Sequence, residues 1–311
     1  MTYKGSRVLI TGANGVIGRA LTEELASAGY GSVRGVGSRD ADLTDTVAAV
    51  ELFEQVQPDL VFHLAARVYG IMGNQANRAA AFLDNTRINT NVIDAAQRSG
   101  VRKIVAMGSV AIYADGIPAP MREADIWNGP PHGSEAPYAH SKRAMYAQLE
   151  AFREQYGLDY AYCVSTNLYG PYDRFDENWG HVIPSLISKF HRAATRSEGV
   201  TVWGSGNVRR DFLFSRDAAR AMRMIAENVS GAINLATGTT HSIRETAELI
   251  KKVSDYRGEI EWDPRMPDGQ RERDYSVSRL ADLGFTPDYD VERGFDATYR
   301  WFAENCVSVR R

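Results

Sequence analysis

The sequence predicts an α/β chain: a Rossmann-type, doubly wound parallel sheet carrying a smaller substrate-binding domain. Three observations carry this. Short apolar, β-rich runs alternate with amphipathic segments over the first 165 residues. A glycine-spaced turn, TGANGVIGRA, follows the first of these runs. After Tyr169 the alternation gives way to a turn-rich stretch, GPYDRFDENWGH.

Strands are expected at RVLITG (7–12), SVRGVG (32–37), DLVFHLAA (59–66), KIVAMGS (103–109) and DYAYCVST (159–166). Most are continuous apolar runs, which suits strands covered on both faces. Between the first two, Val16, Ile17, Ala20, Leu21 and Leu25 recur at helical spacing and mark one buried face. Right-handed crossovers then give the doubly wound arrangement. Further on, a helix is expected over 182–196, strands at VTVWG and RDFLF, a helix from Asp217, and a strand at AINLAT. Ser242 opens the next helix, with Glu245 at capping-box spacing. The nucleotide domain is expected to take 1–172 plus 212–238, and the second domain 173–211 plus 239–311.

With 44% apolar and 24% charged residues in 311, the composition is that of an ordinary soluble domain protein. A net charge of -3 gives no electrostatic reason to expect nucleic acid or an anionic membrane as partner. The leading MTYKGSRVLITG is too short and polar for a signal peptide, and no apolar stretch approaches the ~20 residues that span a bilayer. A cytoplasmic protein is expected. Two cysteines, Cys163 and Cys306, suggest no disulfide framework. The six histidines lack the paired spacing of a metal site, so no metal is expected.

Gly12, Gly15 and Gly18 stand between the first strand and the first helix. Glycines there permit a tight turn and let backbone N–H groups approach a pyrophosphate at the positive end of the helix. The dinucleotide is expected to lie against Gly12, Asn14, Gly15, Ile17 and Gly18, then Ser38, Arg39, Asp42 and Leu43 after the second strand, Ala65 after the third, and Lys142. An NAD site presents a carboxylate at the end of the second strand. Here Gly37, Ser38 and Arg39 occupy that end, with no acid before Asp40. Arg39 suits the additional phosphate of NADP, or else is a solvated surface arginine; NADP(H) is the expected cofactor.

Ser109 ends the fourth strand, and Tyr138 and Lys142 form Tyr-x-x-x-Lys on the following helix. Residues four apart share a helix face, which sets the ammonium beside the phenol. The phenol's ordinary pKa is about 10; a nearby Lys⁺ and a cationic oxidised nicotinamide are expected to favour the phenolate. The three side chains suit hydride transfer between carbinol and carbonyl, with Ser109 and Tyr138 bonding the reacting oxygen.

These motifs, together with HLAA, INTNVIDAA, STNLYGPYD, GHVIPSLISKFH, TVWGSGNVRRDFL and the PDG at 267–269, resemble those of the extended short-chain dehydrogenase/reductases. Within that superfamily the chain is similar to the GDP-L-fucose synthase family, which epimerises a GDP-4-keto-6-deoxyhexose at C3 and C5 and reduces it at C4. The resemblance implies a nucleotide-diphospho-keto-sugar substrate, with Asn167, His181 and Val182 near the sugar. It assigns Lys189 and Arg210 to the diphosphate or nucleotide, packs Trp203 on base or sugar, and adds Asp268. It also implies a homodimer formed through helices at about 80–99 and 138–156.

The chain departs from that family at one place. The family's proton-shuttling cysteine, two residues after the strand-four serine, is matched by Ala111, and Val110 precedes it. Proton abstraction beside a ketone needs a base on one face and an acid on the other. A methyl group is neither. Reduction is therefore expected to survive and double epimerisation to be lost. His181, the family's other shuttle residue, either holds a sugar hydroxyl, supports one epimerisation with another base, or is structural. A 4,6-dehydratase would need an acid and a base where Val110 and Ala111 stand. A nucleotide-sugar 4-epimerase uses the same Ser/Tyr/Lys set and is the stronger rival, and the fully bifunctional reading stays open. A non-catalytic NADP-binding protein has no need of Ser109, Tyr138 and Lys142 together.

Overall fold

In the computed structural model, which describes residues 3–68, 73, 76–265 and 273–309, the five strands of the first half form where expected. They are β1 (Arg7–Thr11), β2 (Ser32–Val36), β3 (Leu60–His63), β4 (Lys103–Met107) and β5 (Asp159–Ser165). Each ends one to three residues early, because its last residues leave the ladder as loops that line the central cavity. Then follow β6 (Asn167–Tyr169), β7 (Val200–Trp203), β8 (Arg209–Phe214), β9 (Gly231–Leu235), β10 (Thr240–Ser242) and β11 (Ile260–Asp263). The helices are α1 (Val16–Ser27), α2 (Thr46–Val56), α3 (Arg78–Arg98), α4 (Ala136–Tyr156), α5 (Val182–Arg196), α6 (Ser215–Asn228), α7 (Ile243–Val253), α8 (Ser278–Asp282) and α9 (Val291–Asn305).

The main sheet is parallel throughout, in the order β2-β1-β3-β4-β5-β9. Its side chains alternate between two cores, as the two-residue period of a strand requires. Val8, Ile10, Leu60, Phe62, Val105 and Cys163 face α1 and α6. Leu9, Val61, Ile104, Tyr160 and Tyr162 face α2, α3 and α4. With a helical layer on either side, both sets must be apolar, which is why the sequence shows unbroken apolar runs.

The second lobe gathers α5, α7 and α9 around Ile183, Ile187, Phe190, Ile250, Phe295 and Phe302. It contains the sheet β10-β8-β6 and the parallel pair β11-β7. Ser242 and Glu245 form the expected capping box, each accepting the other's backbone N–H at 3.0 and 2.7 Å.

Two segments cross the expected domain division. β8 pairs with β6 and β10 rather than joining the main sheet, so the return to the nucleotide lobe begins at α6 and not at 212. Its alternation explains the placement: Leu213 points into the core under α6, while Phe212 and Phe214 point into the second lobe. Residues 273–285, assigned by sequence to the second domain, pack on the first. Tyr275 enters one main core and Leu280 and Phe285 the other. Asn234 fixes them there, donating to the carbonyls of Met121 and Ser276 at 3.1 and 3.0 Å.

Candidate active site

The chain leaves β1 toward β2 on one side and later returns to β3 on the other, so a crevice opens at the carboxyl ends of the sheet between them. Gly12 turns the chain there with φ of +73°, and a Cβ on it would lie 2.8 Å from the backbone N of Ala65. A Cβ on Gly18 would drive into the Gly12 carbonyl and the Ala13 backbone. Packing thus demands glycine at both. Gly15 differs, since a Cβ there meets nothing closer than 3.4 Å. It caps α1 with no side chain over the first-turn N–H groups, leaving those donors open to a pyrophosphate.

From this turn a cavity of about 680 Å³ runs between the lobes. Its adenosine end is lined by Val36, Gly37, Ser38, Ala41, Leu43 and Ala65. The nearby acids are engaged with the chain itself. Asp40 accepts the Gly37 N–H at 2.7 Å, and Asp42 accepts from the Thr44 hydroxyl and N–H at 2.7 and 3.0 Å. Those bonds hold the Asp42 carboxyl below its ordinary pKa. None of Asp40, Asp42 and Asp45, which follow β2 directly, lines the cavity, which fits NADP(H) better than NAD. Of the expected cofactor residues, Arg39 and Asp42 stand outside the lining, Arg39 exposed beside Ser38; the others line it.

Ser109 caps a 3₁₀ turn over Val110–Ile112, its Oγ accepting the Ala111 N–H at 3.2 Å and its own proton left to donate. α4 opens with Pro137 in its first turn, and Tyr138 follows directly. One turn on, Lys142 is buried, its Nζ donating to the Met107 carbonyl at 2.8 Å and lying 5.8 Å from the centre of the Tyr138 ring. Burial lowers Lys142 to about 7. In the cofactor-free protein, burial and then the charge of Glu135 push the Tyr138 phenol up; the expected shift toward the phenolate involves a bound oxidised nicotinamide as well as Lys142. In the cofactor-free protein the phenol is protonated, which is the form a carbonyl reduction consumes. Behind this group His63 is bonded to Thr11 Oγ1 (2.8 Å) and Asn89 Oδ1 (3.1 Å), and burial, with Lys142's charge, lowers it to about 3. A neutral imidazole adds no positive charge beside Lys142.

A glycine-rich turn at the switch point, with a serine, tyrosine and lysine at the ends of β4 and α4, has a match among known families. The model for the NAD dependent epimerase/dehydratase family matches residues 8–236. The chain belongs to this family. Over 311 residues it is 35% identical to GDP-L-fucose synthase from Escherichia coli (strain K12), covering 96% of this chain and 97% of that one. A GDP-6-OMe-4-keto-L-xylo-heptose reductase from C. jejuni superposes with a TM-score of 0.92 at 26% identity, covering 98% of this chain and 99% of that one. An NADP-bound GDP-L-fucose synthetase from Naegleria fowleri superposes at 0.91 and 29% identity, covering 100% and 98%.

Within this family member the expected sugar and nucleotide contacts Asn167, His181, Val182, Lys189, Trp203 and Arg210 all line the one cavity, while Asp268 lies outside the described residues. Asn167 Nδ2 donates to the Asp211 carbonyl at 3.0 Å, so its own carbonyl is turned away from that bond. Lys189 sits 4.9 Å from the centre of the Trp203 ring, and burial lowers its pKa. At the other end of α5, His181 is the N-cap residue, exposed to the cavity.

Several lining residues were missed from sequence. Glu135 and Arg273 are ion-paired in the cavity wall. Burial would raise the Glu135 carboxyl, but the charge and hydrogen bond of Arg273, with Arg210 and His132, outweigh it and hold it below its ordinary value. Glu135 was readable, standing three residues before Tyr138 in the same turn; Arg273 arrives from far along the chain and had no local signal. Tyr172, Arg174, Glu177 and Trp179 also line the cavity.

Ala111 is buried outside the lining, and Val110 faces the cavity. Neither cysteine of the chain lines the cavity. Cys163 is sealed beneath the sheet, where burial pushes its thiol up to about 12, and Cys306 follows α9. Among the described residues no three His, Cys, Asp or Glu are grouped to hold a metal ion, and no helix is long and apolar enough to cross a membrane.

Proposed function

We propose that this chain is an NADPH-dependent C4 ketoreductase of a GDP-linked 4-keto-6-deoxyhexose or related keto-heptose, without 3,5-epimerase activity. One observation carries the reading: Ser109, Tyr138 and Lys142 meet in a cavity that also holds Arg210, Lys189 and Trp203, and no thiol lines it. The Escherichia coli relative is a GDP-L-fucose synthase, and the superposing C. jejuni protein is a GDP-6-OMe-4-keto-L-xylo-heptose reductase. Both support a GDP-sugar substrate.

The residues around Gly12–Gly18, Ser38, Leu43 and Ala65 would hold NADPH, which supplies the hydride when bound. The rest belongs to the chain. Ser109 and the protonated Tyr138 donate hydrogen bonds to the C4 carbonyl oxygen, polarising it, and Tyr138 delivers its proton as that oxygen becomes a hydroxyl. Glu135, kept ionised by Arg273, favours the protonated phenol beforehand. Arg210 offers a planar fork to the diphosphate and Lys189 a point charge, so the nucleotide fixes the sugar's position before reaction. Among the described residues three carboxylates line the wall and each is engaged: Glu135 is bound to Arg273, Glu177 takes Arg192 at 3.0 and 3.1 Å, and Asp173 accepts the Arg174 N–H at 2.7 Å. His181 is left to hold a sugar hydroxyl. Its place in the cavity is what favours the bifunctional reading as an alternative.

A cytoplasmic homodimer through α3 and α4 belongs to the same proposal; Phe82 and Leu83 of α3 are 42% and 45% exposed and suit such a face. Mixing the protein with GDP-4-keto-6-deoxy-D-mannose and NADPH tests the activity. The expected result is loss of NADPH absorbance in step with ketone consumed, and none with GDP-mannose. Sugar interconversion without added cofactor would instead establish a 4-epimerase.

A further inference from the structure

Tyr172 is a residue that neither the fold nor the hydride transfer accounts for. It sits in the turn after β6 with φ of +67°, a left-handed conformation that a tyrosine adopts only at a cost of about 1 kcal/mol or more. Its ring is 38% exposed, lines the cavity, and is held from both sides. On one side is Trp301 of α9, with ring centres 4.7 Å apart; Trp301 in turn stacks on Phe175, which is buried in the second lobe. On the other side the Arg19 guanidinium lies 5.2 Å from the ring centre. Arg19 belongs to α1, and its N–H bonds the Gly15 carbonyl at 3.0 Å, one turn from the open donors of the phosphate turn.

The ring therefore bridges the nucleotide lobe and the sugar lobe on the flank of the cavity where the pyrophosphate would lie. We propose that Tyr172 is a clasp: packed at a tilt against Trp301 and capped by Arg19, it holds the two lobes together beside the phosphate turn and sets the rate at which NADP(H) leaves. The inference rests on the NADP(H) reading above. The paired ring contacts offset the cost of the left-handed turn. Opening needs no change of fold, only withdrawal of the exposed Arg19 side chain from the ring.

NADPH release from the full chain, followed by its fluorescence in a stopped-flow displacement, tests the clasp, with equilibrium NADPH and GDP titrations alongside. Arg19→Ala and Tyr172→Ala are each expected to release NADPH about three- to tenfold faster, the loss of one cation–π contact. The double variant is expected to release no faster than either single one, because both break the same contact. Tyr172→Phe keeps the ring and Arg19→Lys keeps a cation, so both are expected to restore slow release. GDP affinity is expected to hold in Arg19→Ala; a merely structural role would move GDP affinity and thermal stability with it. Because Arg19 is exposed, its removal leaves folding intact, and unchanged release in Arg19→Ala would overturn the clasp. So would effects of the two single variants that multiply in the double. A parent protein that binds no NADPH would overturn the cofactor reading itself, and the clasp with it.

Discussion

Tyr138→Phe is expected to lower kcat for ketone reduction by about 10²–10⁴-fold, the usual contribution of a positioned general acid. Removing one oxygen leaves the ring in place in the first turn of α4, so NADPH and GDP affinities should be close to those of the parent. The loss should fall on kcat and kcat/KM alike, as for an interaction that matters most in the transition state. Ser109 still donates one hydrogen bond to the carbonyl oxygen, which sets the residual rate. Since the phenol is pushed up by burial and by Glu135, it should keep its proton through neutral pH, so a change in the parent's rate near pH 7 should come from Lys142, which burial lowers to about 7. A Tyr138→Phe enzyme with parental kcat would remove this residue from the proton transfer.

Lys142→Met is expected to abolish most of the activity and yet stabilise the cofactor-free protein. Lys142 is a buried cation whose folded pKa, about 7, lies below its ordinary 10.5, with burial as the cause. Below about pH 7 the ammonium is charged in both folded and unfolded chains, and the cost of burying it is fully present. Between 7 and 10.5 the unfolded chain binds the extra proton, so stability rises with pH and the cost disappears. The linkage limit is roughly 5 kcal/mol. The lost bond to the Met107 carbonyl offsets part of it, leaving about 1–3 kcal/mol near pH 6. Denaturant melts of parent and variant at pH 6 and pH 10 read this directly. The gain should shrink toward pH 10, whereas a variant less stable at both would show that the lysine is structural. Stability gained with activity lost is the pattern of a residue kept for chemistry.

The fold was legible because its signals are local and mutually consistent. Unbroken apolar runs meant strands with two covered faces, and the side chains of β1, β3, β4 and β5 do divide between two cores. Gly12 and Gly18 are required by close backbone approach, and Gly15 leaves the helix end uncapped, so their spacing was informative. Ser109, Tyr138 and Lys142 were readable because the end of one strand and the first turn of one helix bring them together. What sequence missed depends on distant pieces of chain. Arg273 reaches Glu135 only because 273–285 packs back on the nucleotide lobe through Tyr275, Leu280 and Phe285. Periodicity gave those three no address. The influence of the neighbouring Glu135 on Tyr138, and the Met107 carbonyl that Lys142 binds, were likewise not read from sequence. Arg39 follows the right strand, but the cavity wall passes from Ser38 to Ala41 without it.

Whether epimerisation is lost tests the account most directly. The protein is incubated in D2O with GDP-4-keto-6-deoxy-D-mannose, with and without NADPH, and the sugar is read by NMR. The expected result is a C4 alcohol formed only with NADPH, and no deuterium at C3 or C5, because Ala111 supplies no acid or base and no thiol reaches the cavity. Deuterium at either carbon would contradict this, showing that a proton shuttle works without the cysteine and that His181 belongs to it.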